Sequence, residues 1–497
     1  MRHWLEKRAA LTPQRIALIG TGERMTFGEL REQARACAVR LAAWGVAGGD
    51  RVAVLCRNGL HVPVIIHALS YLGAVLVPLN TRLTVYEMAY QIRDAECRTL
   101  IYDPEFESFA AHLGERETGL TCIRSDELRN IEPAPHSAHL KEELDEHALH
   151  SIMYTSGTTG QPKGVLLSYH NHWASAIGSV LNLGLIERDC WLAAVPLFHI
   201  SGLSILMRSV IYGMPVVVHE RFDPVEANRA ICEQGVTIVS VVSNMLQRMI
   251  DALEDGRYPA SFRCMLLGGG PAPLPLLEQC RAKGIPVMQT YGMTETASQV
   301  ATLPAEYMMS KLGSAGKPLF VCELRIVRDG EPVPPGIEGE IEVRGPNVTS
   351  GYLNRPEATA AALRDGWLAT GDLGYVDEDG FLYVLDRRQD LIISGGENVY
   401  PAEIEAVLLR HPAIAEAGVT GVPDAVWGQV PVAFVVMREG AEFSEQKIRD
   451  FCARLLARYK VPAKIRAVDS LPRNASNKLL RSELRKLLLE DYSADED

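Results

Sequence analysis

Short apolar runs alternate with stretches of helical periodicity through much of the first 300 residues. Arg51-Val52-Ala53-Val54-Leu55-Cys56 is one run, Met265-Leu266-Leu267 and Val287-Met288-Gln289 are shorter, and Gly235-Val236-Thr237-Ile238-Val239-Ser240-Val241-Val242 is longer. The last leads into Ser243, whose hydroxyl is expected to cap a helix over Asn244 to Leu253, because a first turn has N–H groups without partners. Buried runs of this length between helices predict an α/β fold with mainly parallel sheets. From Cys322 to Leu385 the pattern changes to antiparallel-looking strands with Gly/Pro turns, such as Glu331-Pro332-Val333-Pro334-Pro335-Gly336.

After Arg388 the chain reads as a separate α+β unit. Pro401 to Leu409 begins a helix with proline in its first turn and acids close behind. Val430 to Met437 reads as a strand, Glu445 to Tyr459 as an amphipathic helix and Ser476 to Glu490 as a final helix. The boundary falls at Asp386 to Gln389. The expected domains are therefore residues 1–386, including a β subdomain over about 322–385, a hinge at 387–389, and a small domain at 390–497. No internal repeat interrupts the pattern.

Composition narrows the classes. A chain of 497 residues, 47% of them hydrophobic, can bury at least two cores. A net charge of −12 without a basic tract disfavours nucleic acid. No apolar run approaches the roughly 18 residues needed to span a bilayer. The opening Met1-Arg2-His3-Trp4-Leu5-Glu6-Lys7-Arg8 has charges where a signal peptide needs an apolar core. Ten scattered cysteines, with no Cys-x-x-Cys pair and no zinc-type histidine spacing, disfavour disulfides and a structural metal. A cytoplasmic location is expected.

One loop stands out chemically. Thr155-Ser156-Gly157-Thr158-Thr159-Gly160-Gln161-Pro162-Lys163-Gly164 lies between the apolar runs Ser151-Ile152-Met153 and Val165-Leu166-Leu167. Glycines allow close backbone approach to an anion, hydroxyls donate to its oxygens, and lysine brings a mobile charge. The spacing is not that of a Walker loop. Gly, Ser and Thr are also ordinary turn residues, so a hairpin tip would look similar.

Four further segments follow in order: Pro196-Leu197-Phe198-His199-Ile200-Ser201-Gly202, Tyr291-Gly292-Met293-Thr294-Glu295-Thr296, Thr370-Gly371-Asp372 with Asp386-Arg387 to Asn398, and Pro472 to Arg481. Together with the loop they resemble the adenylate-forming superfamily of acyl- and aryl-CoA synthetases, peptide-synthetase adenylation domains and beetle luciferases, from about residue 5 to about 487. The resemblance implies a large amino-terminal body completed by the β subdomain, and a small mobile carboxyl-terminal lid. It also implies ATP, Mg²⁺ and coenzyme A.

Residue roles follow from that resemblance. Thr155, Ser156, Gly157, Thr158, Thr159, Gly160 and Lys163 hold the β- and γ-phosphates. Gly268, Gly269 and Gly270 flank the adenine, and Tyr291 and Gly292 belong to the nucleotide site. Thr294 contacts the α-phosphate and Glu295 is the metal ligand. Asp372 accepts from the ribose hydroxyls, and Arg387 contacts the ribose or the phosphates. Lys478 bridges the attacking carboxylate and the α-phosphoryl oxygens, with Asn477 where the family usually has glycine. His199 lies beside the carboxylate. Gly395, Gly396 and Glu397 line the approach of the CoA thiol in the second half-reaction. Gln389 is the hinge about which the small domain turns between the two steps.

The stretches His172 to Leu185 and Asp189 to Val195, running into Pro196 to Gly213, resemble more narrowly the 2-succinylbenzoate–CoA ligases of menaquinone biosynthesis. Ile200 to Arg208 sets one arginine in an apolar helical run, and a buried arginine needs an anion. The second carboxylate of succinylbenzoate would serve, so Arg208, Ser201 and His199 are substrate candidates. A protein acid paired with Arg208, or a helix-end position, would equally account for it. The alternatives are a fatty-acyl or benzoate-type CoA ligase, a carrier-loading adenylation domain, and a non-catalytic nucleotide-binding relative. The expected partners are a small carboxylic acid, ATP and CoA, with no nucleic acid and no membrane span; a homo-oligomer is left open.

Overall fold

The structure, a computed structural model, describes residues 1–132, 140–155, 161–269, 274–387, 391–472, 479, 481 and 483–486, with Asp386, Arg387 and Ala402 described by their backbone only. The chain divides into two compact units. The first comprises residues 1–81, 92–153 and 164–386; the second comprises 82–91, 154–163 and 387–497. Two segments of the amino-terminal half thus cluster with the carboxyl-terminal residues, which a division into contiguous stretches does not anticipate.

The first unit is built on two sheets. One is six-stranded, in the order Thr121–Arg124, Thr99–Tyr102, Arg51–Leu55, Val75–Pro78, Leu149–Thr155, Lys163–Ser168, and its first four strands are parallel. The other has 15 strands. In its middle Val216–Val218, Trp191–Ala193, Ile238–Val241, Cys264–Leu267 and Val287–Met293 run parallel. Ile238–Val241 and Cys264–Leu267 are buried along their whole length, the pattern of strands covered on both faces. Beyond Val287–Met293 the sheet turns antiparallel through Ser298–Leu303 and Ser314–Pro318, and it continues into the strands between residues 323 and 387. The antiparallel region is therefore an extension of the main sheet.

Helix starts show which local signals were obeyed. Ser168 caps Tyr169–Leu183: its hydroxyl accepts from the Asn171 N–H at 3.2 Å, and Asn171 Oδ1 accepts from the Ser168 N–H at 2.8 Å. Asn171 also donates to the carbonyls of Pro346 and Val348, at 2.9 and 2.8 Å, tying the antiparallel extension to this helix. Ser243 differs from expectation. It is the first helical residue of Ser243–Leu253, and the capping position is Val242, which has no side-chain cap. A hydroxyl already inside the first turn no longer projects along the axis toward the free N–H groups.

The second unit carries a five-stranded sheet around the long hairpin of Ile414–Asp424 and Gly428–Met437. Its core joins Ile392, Val399, Ile404, Leu408, Ile414, Val419, Ala433, Ile448 and Ile465. Pro401 opens the helix Pro401–Leu408 as expected. The helix expected over Glu445 to Tyr459 instead ends at Ala453, and Arg458–Lys460 forms a short 3-10 turn. That turn drives Lys460 inward, where its ammonium donates to Glu87 and Glu403, both at 2.7 Å. Burial opposes the charge, but the two carboxylates outweigh it and push the lysine up from its ordinary range. Residues 483–486 are helical, while most of the expected final helix lies outside the described residues. All ten cysteines are free thiols. Among the described residues, no helix is long and apolar enough to cross a membrane.

Candidate active site

In the first unit the motifs collect where the parallel strands end. Pro196 to His199 follow the strand Trp191–Ala193, Val242 follows Ile238–Val241, Gly268 and Gly269 follow Cys264–Leu267, and Tyr291 to Met293 end their own strand. These strands are parallel neighbours, so their carboxyl ends share one edge. In open parallel sheets that edge is where ligands bind.

The turn after Met293 is tightly constrained. Thr294–Thr296 forms a single 3-10 turn, followed by Ala297 at φ 50° and Ser298 at φ 114°. Backbone held in these sparsely populated regions is characteristic of functional turns. Gly292 is required here, because a Cβ at that position would lie 1.8 Å from the Ser298 carbonyl oxygen. The same fold aims the acids. Glu295 is half-buried, and its Oε1 accepts from the Tyr352 hydroxyl at 3.0 Å. Asp372, only 6% exposed, accepts at Oδ2 from the Tyr291 hydroxyl at 2.7 Å. A half-buried carboxylate is a ligand that Mg²⁺ could take, since the ion uses few carboxylates and retains water.

His199 occupies the capping position of the helix Ile200–Tyr212, its ring 4.7 Å from that of Phe198. The Asn58 carboxamide fixes the preceding loop, accepting from the Leu197 N–H at 2.9 Å and donating to the Val195 carbonyl at 2.9 Å. Ser201 is exposed in the first turn. Arg208 lies two turns on and is 2% exposed, its guanidinium over the Trp191 ring at 5.2 Å. Its Nη2 lies 3.4 Å from the Ser298 hydroxyl, and its Nε has no hydrogen-bond partner. Burial pulls the arginine down from its ordinary range, and only the Tyr212 phenol works the other way. Among the described residues no carboxylate pairs with it. A lone buried cation is costly, by several kcal/mol in order of magnitude.

In the second unit, Thr155 ends one strand and Lys163 begins the next, with Tyr90 donating to the Pro162 carbonyl at 3.1 Å. Gly395 and Gly396 form a two-residue turn between Ile392–Ser394 and Glu397–Val399, with φ of 59° and 85°. Positive φ at both positions is what such a hairpin needs. Gly395 also donates to the Trp427 carbonyl at 2.8 Å, and a Cβ on it would sit 2.6 Å from the indole. Glu397 is 5% exposed and accepts from Arg82 at 3.2 Å. Ser156, Gly157, Thr158, Thr159, Gly160, Gly270, Gln389 and Lys478 lie outside the described residues, and Arg387 is described only as the last residue of the strand Leu382–Arg387.

The first unit thus gathers His199, Arg208, Gly268, Gly269, Tyr291, Gly292, Thr294, Glu295 and Asp372, while Thr155, Lys163, Gly395, Gly396 and Glu397 belong to the second. Sequence reasoning missed the groups that orient them: Tyr352 for Glu295, Trp191 and Ser298 for Arg208, and Arg82 for Glu397. Ser298, two residues beyond the motif, and Trp191, inside the stretch Asp189 to Val195, had a local signal in their positions; Tyr352 and Arg82 had none.

The family described as AMP-binding enzyme matches residues 5–353, and its C-terminal domain matches residues 403–478. The 2-succinylbenzoate–CoA ligase of Geobacillus kaustophilus is 60% identical over 98% of both chains. The o-succinylbenzoate CoA synthetase of Bacillus subtilis has been solved in several complexes. A double mutant with the product analogue OSB-NCoA superposes with a TM-score of 0.93 at 51% identity, covering 98% of each chain. The complex with the acyl-adenylate OSB-AMP gives 0.76 at 51% identity, covering 97% of this chain and 98% of that one. The complex with ATP and magnesium gives 0.76 at 50% identity, covering 98% and 99%. This chain belongs to the AMP-binding enzymes and, among them, to the 2-succinylbenzoate–CoA ligases.

Proposed function

We infer that this chain converts 2-succinylbenzoate, ATP and CoA to 2-succinylbenzoyl-CoA, AMP and diphosphate, a step of menaquinone biosynthesis. The observation that carries the choice of acid is Arg208: a buried guanidinium that no carboxylate among the described residues pairs with, on the helix that His199 caps. The substrate has two carboxylates. One reacts, and Arg208 receives the other, on the ring, with the Trp191 ring 5.2 Å from the guanidinium carbon. A fatty acid or plain benzoate leaves the arginine without an anion.

In the first half-reaction an oxygen of the succinyl carboxylate attacks the α-phosphorus in line. The new C–O–P bond forms as the bond to the β-phosphate oxygen breaks, and diphosphate leaves with that electron pair. Two anions must meet, so the protein's work is neutralisation and positioning. Thr155 to Lys163 hold the β- and γ-phosphates, Thr294 the α-phosphate, Asp372 the ribose, with Arg387 at ribose or phosphate, and Gly268 to Gly270 flank the adenine. Tyr291 presets Asp372, and Gly292 keeps the turn that presents Thr294. Glu295 would hold Mg²⁺, which supplies charge neutralisation on the phosphate oxygens. Lys478 supplies positive charge as the adenylate forms. In the second half-reaction the CoA sulfur attacks the acyl carbon and AMP leaves with the C–O electron pair, the thiol proton passing to solvent. Gly395, Gly396 and Glu397 line that approach. The reading includes a cytoplasmic location, which ten free thiols support.

The test is acid-dependent ATP–pyrophosphate exchange across a panel of acids, with thioester products identified by mass spectrometry. Strong exchange and thioester with 2-succinylbenzoate alone is expected. Equal activity on fatty acids or benzoate would remove the assigned substrate while leaving the reaction class intact.

A further inference from the structure

A second cluster of chemistry lies in the six-stranded sheet of the first unit and takes no part in the ligation described above. The strands Arg51–Leu55 and Thr99–Tyr102 are parallel neighbours, with Leu55 opposite Tyr102. Cys56 and Asp103 follow them directly and so meet at the carboxyl edge. His61 opens the helix His61–Leu72 that leads away from the same strand end. The thiol sulfur, an imidazole nitrogen and a carboxylate oxygen all lie within 4.8 Å of one another. His61 Nε2 is 2.8 Å from Asp103 Oδ1. Sequence spacing passes over this set because its third member arrives from another strand, more than 40 residues on.

We propose that Cys56, His61 and Asp103 bind one zinc-class divalent cation, at a site separate from the Mg²⁺ that accompanies ATP. Thiolate, imidazole and carboxylate are the donors zinc takes, whereas a hard ion such as Mg²⁺ does not select sulfur. The carboxylate is held from behind: Asp103 Oδ1 accepts from the Ser125 hydroxyl at 2.6 Å and Oδ2 from the Arg57 N–H at 2.8 Å. Outer hydrogen bonds of this kind orient a ligand for its metal. Cys56 and Asp103 are 6% and 8% exposed while the His61 side chain is 42% exposed, so two ligands are fixed in the interior and one stands at the mouth. A tetrahedral zinc needs sulfur and nitrogen about 3.5 Å apart and nitrogen and oxygen about 3.3 Å apart, so the first pair closes by up to about 1.3 Å and the second opens by about 0.5 Å, movements the half-exposed imidazole can supply. The thiol proton leaves to solvent on binding, and two negative ligands balance the dication. The nearby Arg57 guanidinium is already paired with Glu105. Asn58 sits two residues beyond Cys56 and holds the loop before His199, so an occupied site stiffens the same turn.

The test uses the full chain without a histidine tag, in buffer free of ATP and magnesium, titrated with Co²⁺ and then Zn²⁺. Expected are one equivalent of cobalt per chain, a thiolate-to-cobalt charge-transfer band, its loss on adding zinc, and a rise in melting temperature with zinc. Cys56→Ser should abolish the band, and His61→Gln should weaken uptake at least about tenfold; circular dichroism verifies that both near-isosteric variants are folded. Absence of the band in the parent protein, or unchanged uptake in folded Cys56→Ser, overturns the proposal and leaves a hydrogen-bonded brace between two strand ends.

Discussion

Arg208→Ala removes a buried guanidinium from over the Trp191 ring. With the ring carboxylate then unpaired in a desolvated pocket, kcat/KM for 2-succinylbenzoate should fall roughly a hundredfold, about 3 kcal/mol, with KM taking most of the loss. An analogue lacking the ring carboxylate should be nearly unaffected, and steady-state kinetics on both acids separates the cases. Equal loss on both would make the arginine a packing residue. Arg208→Lys keeps charge but not the planar fork over the indole, so it should fall between. Tyr291→Phe deletes a single hydroxyl, which donates to Asp372. A charge-assisted bond of this kind is worth about 2 kcal/mol, so the KM for ATP should rise roughly tenfold or more while the KM for the acid holds. Exchange rates at varied ATP measure it. An unchanged KM for ATP would detach Asp372 from the nucleotide.

At the turn of Gly395 and Gly396 both glycines adopt the positive φ that a two-residue hairpin requires. Gly395→Ala must displace Trp427 or open the turn. Acid-dependent pyrophosphate exchange should therefore survive while attack of CoA on preformed adenylate slows at least about tenfold, as read in single turnovers. Loss of exchange as well would place this turn in the first step. Some elements were legible for local reasons. The run at Arg51 to Cys56 announces a strand through its composition, and Pro401 announces a helix start. What the sequence hid depends on partners far along the chain. Tyr291 and Asp372 are 81 residues apart and meet only because an antiparallel extension folds back beside the parallel strands. The helix expected to reach Tyr459 stops at Ala453, and beyond it Lys460 pairs with acids 373 and 57 residues away. Ser243 has the right chemistry one position too late.

The first unit also packs four histidines into its interior: His3, His67, His150 and His172, each 4% exposed or less. His3 stacks on Tyr71 at 4.0 Å and lies 3.0 Å from the Ser70 hydroxyl, which accepts from Tyr169. His172 meets Ser151 at 3.2 Å, and His150 stands edge-on to both His172 and Tyr169. Glu6 is paired with Arg35 and Tyr71, and Arg208 lies near His172, so among the described residues no free acid is at hand to welcome a proton. Burial drives His3 and His172 down to about 3 and His67 to about 4, with His150 also far below 6.5. Above 6.5 neither the folded nor the unfolded chain protonates these rings. Below it the unfolded chain takes up protons that the core refuses, so stability is lost progressively from 6.5 down to about 3 to 4. Each ring contributes about 1 kcal/mol per pH unit in that window. Melting temperature should be flat from pH 7 to 8 and drop steeply between 6 and 5, and His67→Gln should flatten the slope. A melting curve indifferent to pH over that range would mean that the cluster hydrates before it charges. For anyone moving this catalyst into a sour fermentation broth, the place to engineer is accordingly a patch of interior that touches neither ATP nor acid, and shelf life rather than turnover is what would improve.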